Sequence, residues 1–204
     1  MSIPPICFVT DAGASEPVTA QAIAAATGGA GWVQLRDKTM PDSDFAELAR
    51  VLMQRLAPLG AQLVINDRVD VAIAVGAPVL HVGQGDGDPA AIRARIGPDM
   101  VLGLSVEEAS QLPHVPAGVD YLGVGPVYAT VSKADHAAPI GHDGFAAIAR
   151  ATALPCLAIG GITARDAAPI RAAGGAGLAV VSAISRAADM EAATRTLVTA
   201  WSNA

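Results

Sequence analysis

Eight short runs of aliphatic and β-branched residues recur along the whole length of this chain. They lie at residues 6–10 (ICFVT), 32–35 (WVQL), 63–65 (LVI), 79–82 (VLHV), 101–104 (VLGL), 121–124 (YLGV), 156–159 (CLAI) and 178–181 (LAVV). Most are continuously apolar rather than alternating, the pattern of strands covered on both faces. Helical signals separate them. Pro41-Asp42-Ser43-Asp44 opens a segment whose Phe45, Leu48, Ala49 and Leu52 share one helical face. Ala164-Arg165-Asp166 precedes another, which stops at Gly174-Gly175. Eight strands alternating with helices predict an α/β fold, a closed parallel (β/α)8 TIM barrel with short loops. A doubly wound open sheet is the alternative, but it gives no reason for the count of eight. No linker or composition shift divides the chain, so residues 1–204 are expected to form a single domain.

Composition removes several classes of function. Hydrophobic residues make up 52% of the chain and charged residues 16%, which excludes a disordered tail or a solvated coil. The net charge of −6 and the lack of a basic run argue against nucleic acid as partner. The opening MSIPPICFVTD has no basic segment followed by a long apolar one, and no apolar run reaches membrane-spanning length. A cytoplasmic protein without membrane partners is therefore expected. Cys7 and Cys156 lie inside apolar runs, lack zinc-ligand spacing and read as buried small hydrophobes.

In such a barrel the chemistry sits at the C-terminal strand ends, and the polar residues of this chain collect there. Run two leads into Gln34-Leu35-Arg36-Asp37-Lys38, run three into Asn66-Asp67, and run four into His81-Val82-Gly83-Gln84-Gly85-Asp86. Run five ends at Ser105. Run six continues into Gly125-Pro126-Val127-Tyr128-Ala129-Thr130-Val131-Ser132-Lys133, run seven into Gly160-Gly161-Ile162-Thr163 and run eight into Val181-Ser182-Ala183. The chain has two lysines against eleven arginines, and both, Lys38 and Lys133, fall in these mouth segments. A lysine is a compact charge suited to a phosphate oxygen.

Two features have competing readings. Gly160-Gly161 suits a phosphate held by backbone N–H groups, but a tight strand-to-helix turn also wants glycine. Asp67 and Asp86 follow neighbouring strands, so a barrel turns both carboxylates toward one point, and two carboxylates with phosphate oxygens and waters make a magnesium site. Taken singly, Asp67 could cap a helix starting near Arg68, and Asp86 could serve its glycine-rich turn. With Arg36, Lys38 and Lys133 nearby, the pair fits a metal–pyrophosphate complex.

The remaining candidates read as structural. His81 lies within a strand and is expected to be a satisfied core residue rather than a base. His136 and His142 flank the 129–141 loop without an evident partner, and His114 is expected at the surface. Trp32 and Trp201 read as packing residues, and Arg50, Arg55, Arg93 and Arg95 as solvated helix faces. The 129–141 connection is long enough for an active-site loop and is expected to open and close over substrate.

The blocks VQLRDK, LVINDRVDVAIAVGA, HVGQGD, YLGVGPVYATVSK, AIGGIT and AVVSAI, in this order, resemble those of the thiamine-phosphate synthases. The resemblance implies a transferase that joins a hydroxymethylpyrimidine diphosphate to a thiazole phosphate and releases pyrophosphate. By matching positions, Gln34, Arg36, Lys38, Asn66 and Lys133 would bind the pyrimidine diphosphate, and Asp67 and Asp86 would ligate one Mg2+. Ser105 would contact the pyrimidine or the migrating pyrophosphate. Thr130, Ser132, Gly161, Val181 and Ser182 would hold the thiazole phosphate. Arg36, Lys38, Lys133 and Ser105 would carry the catalysis. Asp37 stands where the family commonly has Glu, Ala129 where Pro is frequent, and Ser132 where Thr is usual. A thiazole tautomerase relative would need neither the paired aspartates nor the strand-two cations, and a phosphate-binding isomerase would leave QLRDK and IND unexplained. A silent binder of thiamine intermediates is separated only by turnover, and assembly into a homo-oligomer stays open.

Overall fold

The structure, a computed structural model, describes residues 3–130 and 137–204. Eight parallel strands, β1 (Ile6–Val9), β2 (Trp32–Leu35), β3 (Gln62–Asn66), β4 (Val79–Val82), β5 (Val101–Val106), β6 (Tyr121–Val124), β7 (Cys156–Ala158) and β8 (Gly177–Val180), pair in chain order. Strand β8 pairs back onto β1, with Cys7 opposite Ala179, and this closes the barrel. Among the described residues, closure leaves no strand edge exposed. The expected barrel is thus the fold, with strand bounds shifted by one or two residues.

Helices α1 (Val18–Thr27), α2 (Asp42–Leu56), α3 (Val69–Val75), α4 (Pro89–Ile96), α5 (Gly141–Arg150), α6 (Ala167–Ala172), α7 (Ser182–Ser185) and α8 (Met190–Ser202) cover the outside. Helix α2 begins directly after Pro41. It carries Asp42 and Asp44 in its first turn, where the helix dipole favours acids, and buries Phe45, Ala49, Leu52 and Leu56 along one stripe. Between β5 and β6 the alternation shortens to a 3-10 segment, Ala109–His114, interrupted by Pro113.

Two apolar layers result. Outward-facing strand residues such as Phe8, Val33, Leu63, Leu80, Leu102 and Leu122 pack under the helices. Inward-facing Cys7, Trp32, Val64, Val79, Val101, Tyr121, Leu157 and Ala179 fill the barrel interior. These eight form a floor. A strand has a period of two, so two residues further along the inward positions become Val9, Gln34, Asn66, His81, Gly103 and Gly123. The floor is apolar, whereas the layer above it brings in the polar Gln34, Asn66 and His81 and the side-chain-free Gly103 and Gly123. That change within single strands builds the site.

Both cysteines are buried and free, and burial pushes the Cys7 thiol up to about 12 and Cys156 to about 11. Trp32 and Trp201 are buried as expected. Arg93 differs from its expected solvated role. Its guanidinium donates to the carbonyls of Gly97, Met100 and Gly118 at 2.6–2.8 Å and to Asp120 Oδ2 at 2.6 Å, tying α4 to the barrel bottom. No helix among the described residues is long and apolar enough to cross a membrane.

Candidate active site

A cavity of about 700 Å3 opens at the C-terminal strand ends, within the range of small-molecule sites. Gln34, Arg36, Lys38, Asn66, Asp67, Asp86, Ser105, Thr130, Gly161, Val181 and Ser182 all line it. Ser132, Lys133 and His136 lie outside the described residues, as does the 131–136 part of the loop expected to move.

Strand β2 delivers the cations. The backbone N–H of Arg36 donates to Thr10 Oγ1 at 3.0 Å, so β1 sets where this segment leaves the sheet. Asp37 then organises the turn, its Oδ1 accepting from Thr39 N (2.8 Å), Thr39 Oγ1 (2.9 Å) and Met40 N (2.9 Å). Burial pushes the Asp37 carboxyl up, but the hydrogen bonds from Thr39 and Met40 and the charge of Arg68 outweigh it and hold the pKa low. Arg68 clamps the same turn from β3. It donates to the Asp37 carbonyl at 2.7 Å, pairs with Asp42, and lies 4.4 Å over the Phe45 ring. A guanidinium that is stacked and hydrogen-bonded at once is a rigid brace.

Strand β3 ends in an uncommon turn. Asp67 has φ of 63°, left-handed for a residue with a side chain. Aspartate tolerates this better than most. Its N–H donates to the His81 carbonyl at 2.9 Å and its carbonyl accepts from Val69 at 3.0 Å. Helix α3 has Arg68 at its N-cap and no side-chain cap, so the capping alternative for Asp67 falls. Asp86 does serve its turn, Oδ2 accepting from Gly83 N at 2.7 Å, and also faces Asp67.

The two carboxylates meet. Burial, a hydrogen bond with Asp86 and the negative charge of Asp86 raise the Asp67 pKa from 3.8 to about 6, against the opposing pull of Lys38 and Arg36. One proton shared between facing acids is what such a pair adopts when nothing else neutralises it. A hard divalent cation would relieve the same repulsion, and Asp67 and Asp86 would hold it together with oxygens of a phosphorylated ligand. Among the described residues no cluster of three or more His, Cys, Asp or Glu could hold a metal alone. The donor set fits magnesium shared with a phosphorylated ligand.

Glycines 160 and 161 have φ of 95° and 67°, and an added Cβ would lie 2.5 Å from the Pro126 Cβ and 2.8 Å from the Tyr128 Cβ. The tight-turn reading alone therefore accounts for both, while Gly161 also lines the cavity. His142, expected without a partner, has two. Its Nε2 meets the Tyr128 hydroxyl and lies 3.6 Å from Asp166 Oδ1, and the Tyr128 hydroxyl donates to Asp166 at 2.8 Å.

His81 is buried and hydrogen-bonded, as expected, yet it also lines the cavity. Burial lowers its pKa to about 4, against the opposing charge of Asp86. Thr10, Asp11, Gln84 and Glu107 line the cavity too and were not singled out from the sequence. For Gln84 the signal was its place in HVGQGD, and for Thr10 the inward position at the end of the first run.

The thiamine monophosphate synthase family matches residues 6–184. A thiamine-phosphate synthase of Azorhizobium caulinodans is 49% identical over 176 residues, 86% of this chain and 83% of that protein. One from Moorella thermoacetica is 39% identical over 193 residues, 94% and 92% of the two chains. Among solved structures, a thiamine phosphate pyrophosphorylase from Pyrococcus furiosus superimposes with a TM-score of 0.88 at 31% identity, covering 98% of this chain and 96% of that one. With the barrel, the mouth blocks and matches over most of both partners' lengths, the chain belongs to the thiamine monophosphate synthase family.

Proposed function

We propose that this transferase, a thiamine-phosphate synthase by family, joins a hydroxymethylpyrimidine diphosphate to a thiazole phosphate, with the strand ends dividing the two substrates between them. The observation that carries this reading is the facing pair Asp67 and Asp86 in one cavity with Arg36 and Lys38. A thiazole tautomerase has no use for that pair.

In this reading Gln34 and Asn66 seat the pyrimidine, while Arg36, Lys38 and Lys133 bind its diphosphate. Asp67 and Asp86 hold Mg2+, which when bound neutralises charge on the diphosphate oxygens. Thr130, Ser132, Gly161, Val181 and Ser182 receive the thiazole phosphate. The bond from the pyrimidine methylene carbon to oxygen breaks, and pyrophosphate takes the electron pair. The cationic side chains stabilise the charge as it develops. The thiazole nitrogen then gives its lone pair to the methylene carbon and becomes the thiazolium. No proton need be removed in this exchange, so no general base is required, in keeping with a neutral His81.

We take residues 1–204 to act as one catalytic domain and the cytoplasm to be its compartment, supported by two free cysteines. The test is coupling of the two purified substrates with and without magnesium. Thiamine phosphate formed only with the divalent cation is the expected result. No product under any metal condition would leave a non-catalytic binder instead.

A further inference from the structure

His81 is held at both ring nitrogens. Its Nδ1 lies 3.0 Å from the Tyr121 hydroxyl and its Nε2 lies 3.0 Å from Ser105 Oγ. The barrel makes room for this chain of contacts. At Gly103 an added Cβ would lie 2.2 Å from Tyr121 Cζ and 2.5 Å from His81 Nδ1, and at Gly123 it would lie 2.9 Å from His81 Cε1. Neither glycine has a positive φ, so the backbone does not demand glycine at either place. Two adjacent strands give up an inward side chain, and the space goes to the imidazole and phenol.

The proton order follows from burial. Tyr121 sits on the apolar floor against Trp32, ring centroids 5.0 Å apart, and its pKa is raised by burial, so it keeps its proton. A buried hydroxyl that donates to nothing costs about 1–3 kcal/mol. A ring nitrogen that accepts a hydrogen bond carries no proton, which leaves the N–H of the imidazole on the other nitrogen. If the phenol donates to Nδ1, that N–H is on Nε2 and donates to Ser105 Oγ. With one lone pair so occupied, the serine hydroxyl proton turns to an acceptor in the cavity. Gln84 Nε2 donates to the Ser105 carbonyl at 2.6 Å and fixes the backbone of the same residue.

We infer that Tyr121 and His81 are positioning residues, the phenol setting the Nε2–H tautomer and the imidazole presenting Ser105 as a hydrogen-bond donor to the departing diphosphate oxygens. The inference rests on the proposed function for the identity of that acceptor. In the opposite tautomer the Ser105 proton would point at Nε2, and a lone pair would face an anion. The relay removes that state. It acts on the leaving group's charge, so its effect falls on turnover more than on binding.

The test has an arm that does not use activity. In the intact chain labelled with 15N-histidine, NMR at about pH 7 should show His81 with a protonated Nε2 and a bare Nδ1. Its signals are assigned in a chain with His114→Gln, His136→Gln and His142→Gln. A protonated Nδ1, or an imidazolium, would overturn the relay. In the second arm, Tyr121→Phe keeps the ring on Trp32 and should mix the two tautomers. It should lower kcat about tenfold, with KM for the pyrimidine diphosphate within about twofold. Unchanged kcat, or a loss wholly in KM, also counts against it. A wild-type chain inactive in coupling sinks the functional reading alone, since the tautomer is read without substrate. If Tyr121→Phe does not fold, the wild-type spectrum decides.

Discussion

Replacing Asp67 with asparagine should make the metal-free protein more stable while removing its response to magnesium. Asparagine is the right substitute because the residue sits at φ of 63°. Asn tolerates the left-handed region about as well as Asp, whereas alanine would add roughly 1–2 kcal/mol of backbone strain that obscures the result. The source of the effect is the raised Asp67 pKa, carried from 3.8 to about 6 by burial and by Asp86. Folding therefore tightens proton binding at this carboxyl. The stability it contributes is complete below about pH 4 and is lost as pH rises through about 6. The full shift corresponds to ~3 kcal/mol, but Asp67 is partly open to solvent at the mouth, and screening reduces this to roughly 1–1.5 kcal/mol. For a domain of this size that is a rise in Tm of about 2–6 °C.

The assay is thermal unfolding of wild type and Asp67→Asn in EDTA across pH. The two should coincide below about pH 4, diverge between pH 4 and 6, and stay apart above it, with the variant more stable. Saturating magnesium should reverse the order at pH 8. A ligand at a hundred times its Kd adds about 2.7 kcal/mol to a protein that binds it, and the variant lacks half of the site. A variant no more stable than wild type at pH 8 in EDTA would show that the carboxylates do not repel. Equal magnesium stabilisation of both proteins would remove Asp67 from the metal site.

Two further substitutions test the proposed anion contacts. Lys133→Ala should lower kcat by ~10²-fold or more in steady-state coupling, the scale of losing one electrostatic stabiliser, with Lys133→Arg restoring only part; a change confined to KM would mean uniform binding instead. Gly161→Ala places a Cβ 2.8 Å from the Tyr128 Cβ at a φ of 67°, so calorimetry should show a loss of about 1–3 kcal/mol and kinetics a raised KM for the thiazole phosphate; wild-type stability would show that the turn can relax.

The barrel was legible because a strand buried on both faces leaves a continuous apolar run, and eight such runs were present. The missed detail lies where tertiary packing overrides local pattern. Arg93 reads as a solvated helix residue from its neighbours, and nothing local announces that the carbonyls of Gly97, Met100 and Gly118 converge on it. His142 is similar. Its partner Asp166 is 24 residues away in the chain, brought close by the turn after β7.

The site divides along the same line. Arg36, Lys38, Asp67 and Asp86 declare themselves because charge in a chain with 16% charged residues stands out at the end of an apolar run. His81 declares only half of its role. A histidine inside a strand reads as a core residue, and it is one, buried with both nitrogens satisfied. What the local sequence hides is that its partners come from the two strands that follow, Ser105 on β5 and Tyr121 on β6. The clue was in the blanks. Gly103 and Gly123 each interrupt a strand that otherwise wants bulk, and neither sits in a turn. A glycine in the middle of a buried strand marks space given to something else, and here the occupants are the imidazole of His81 and the phenol of Tyr121.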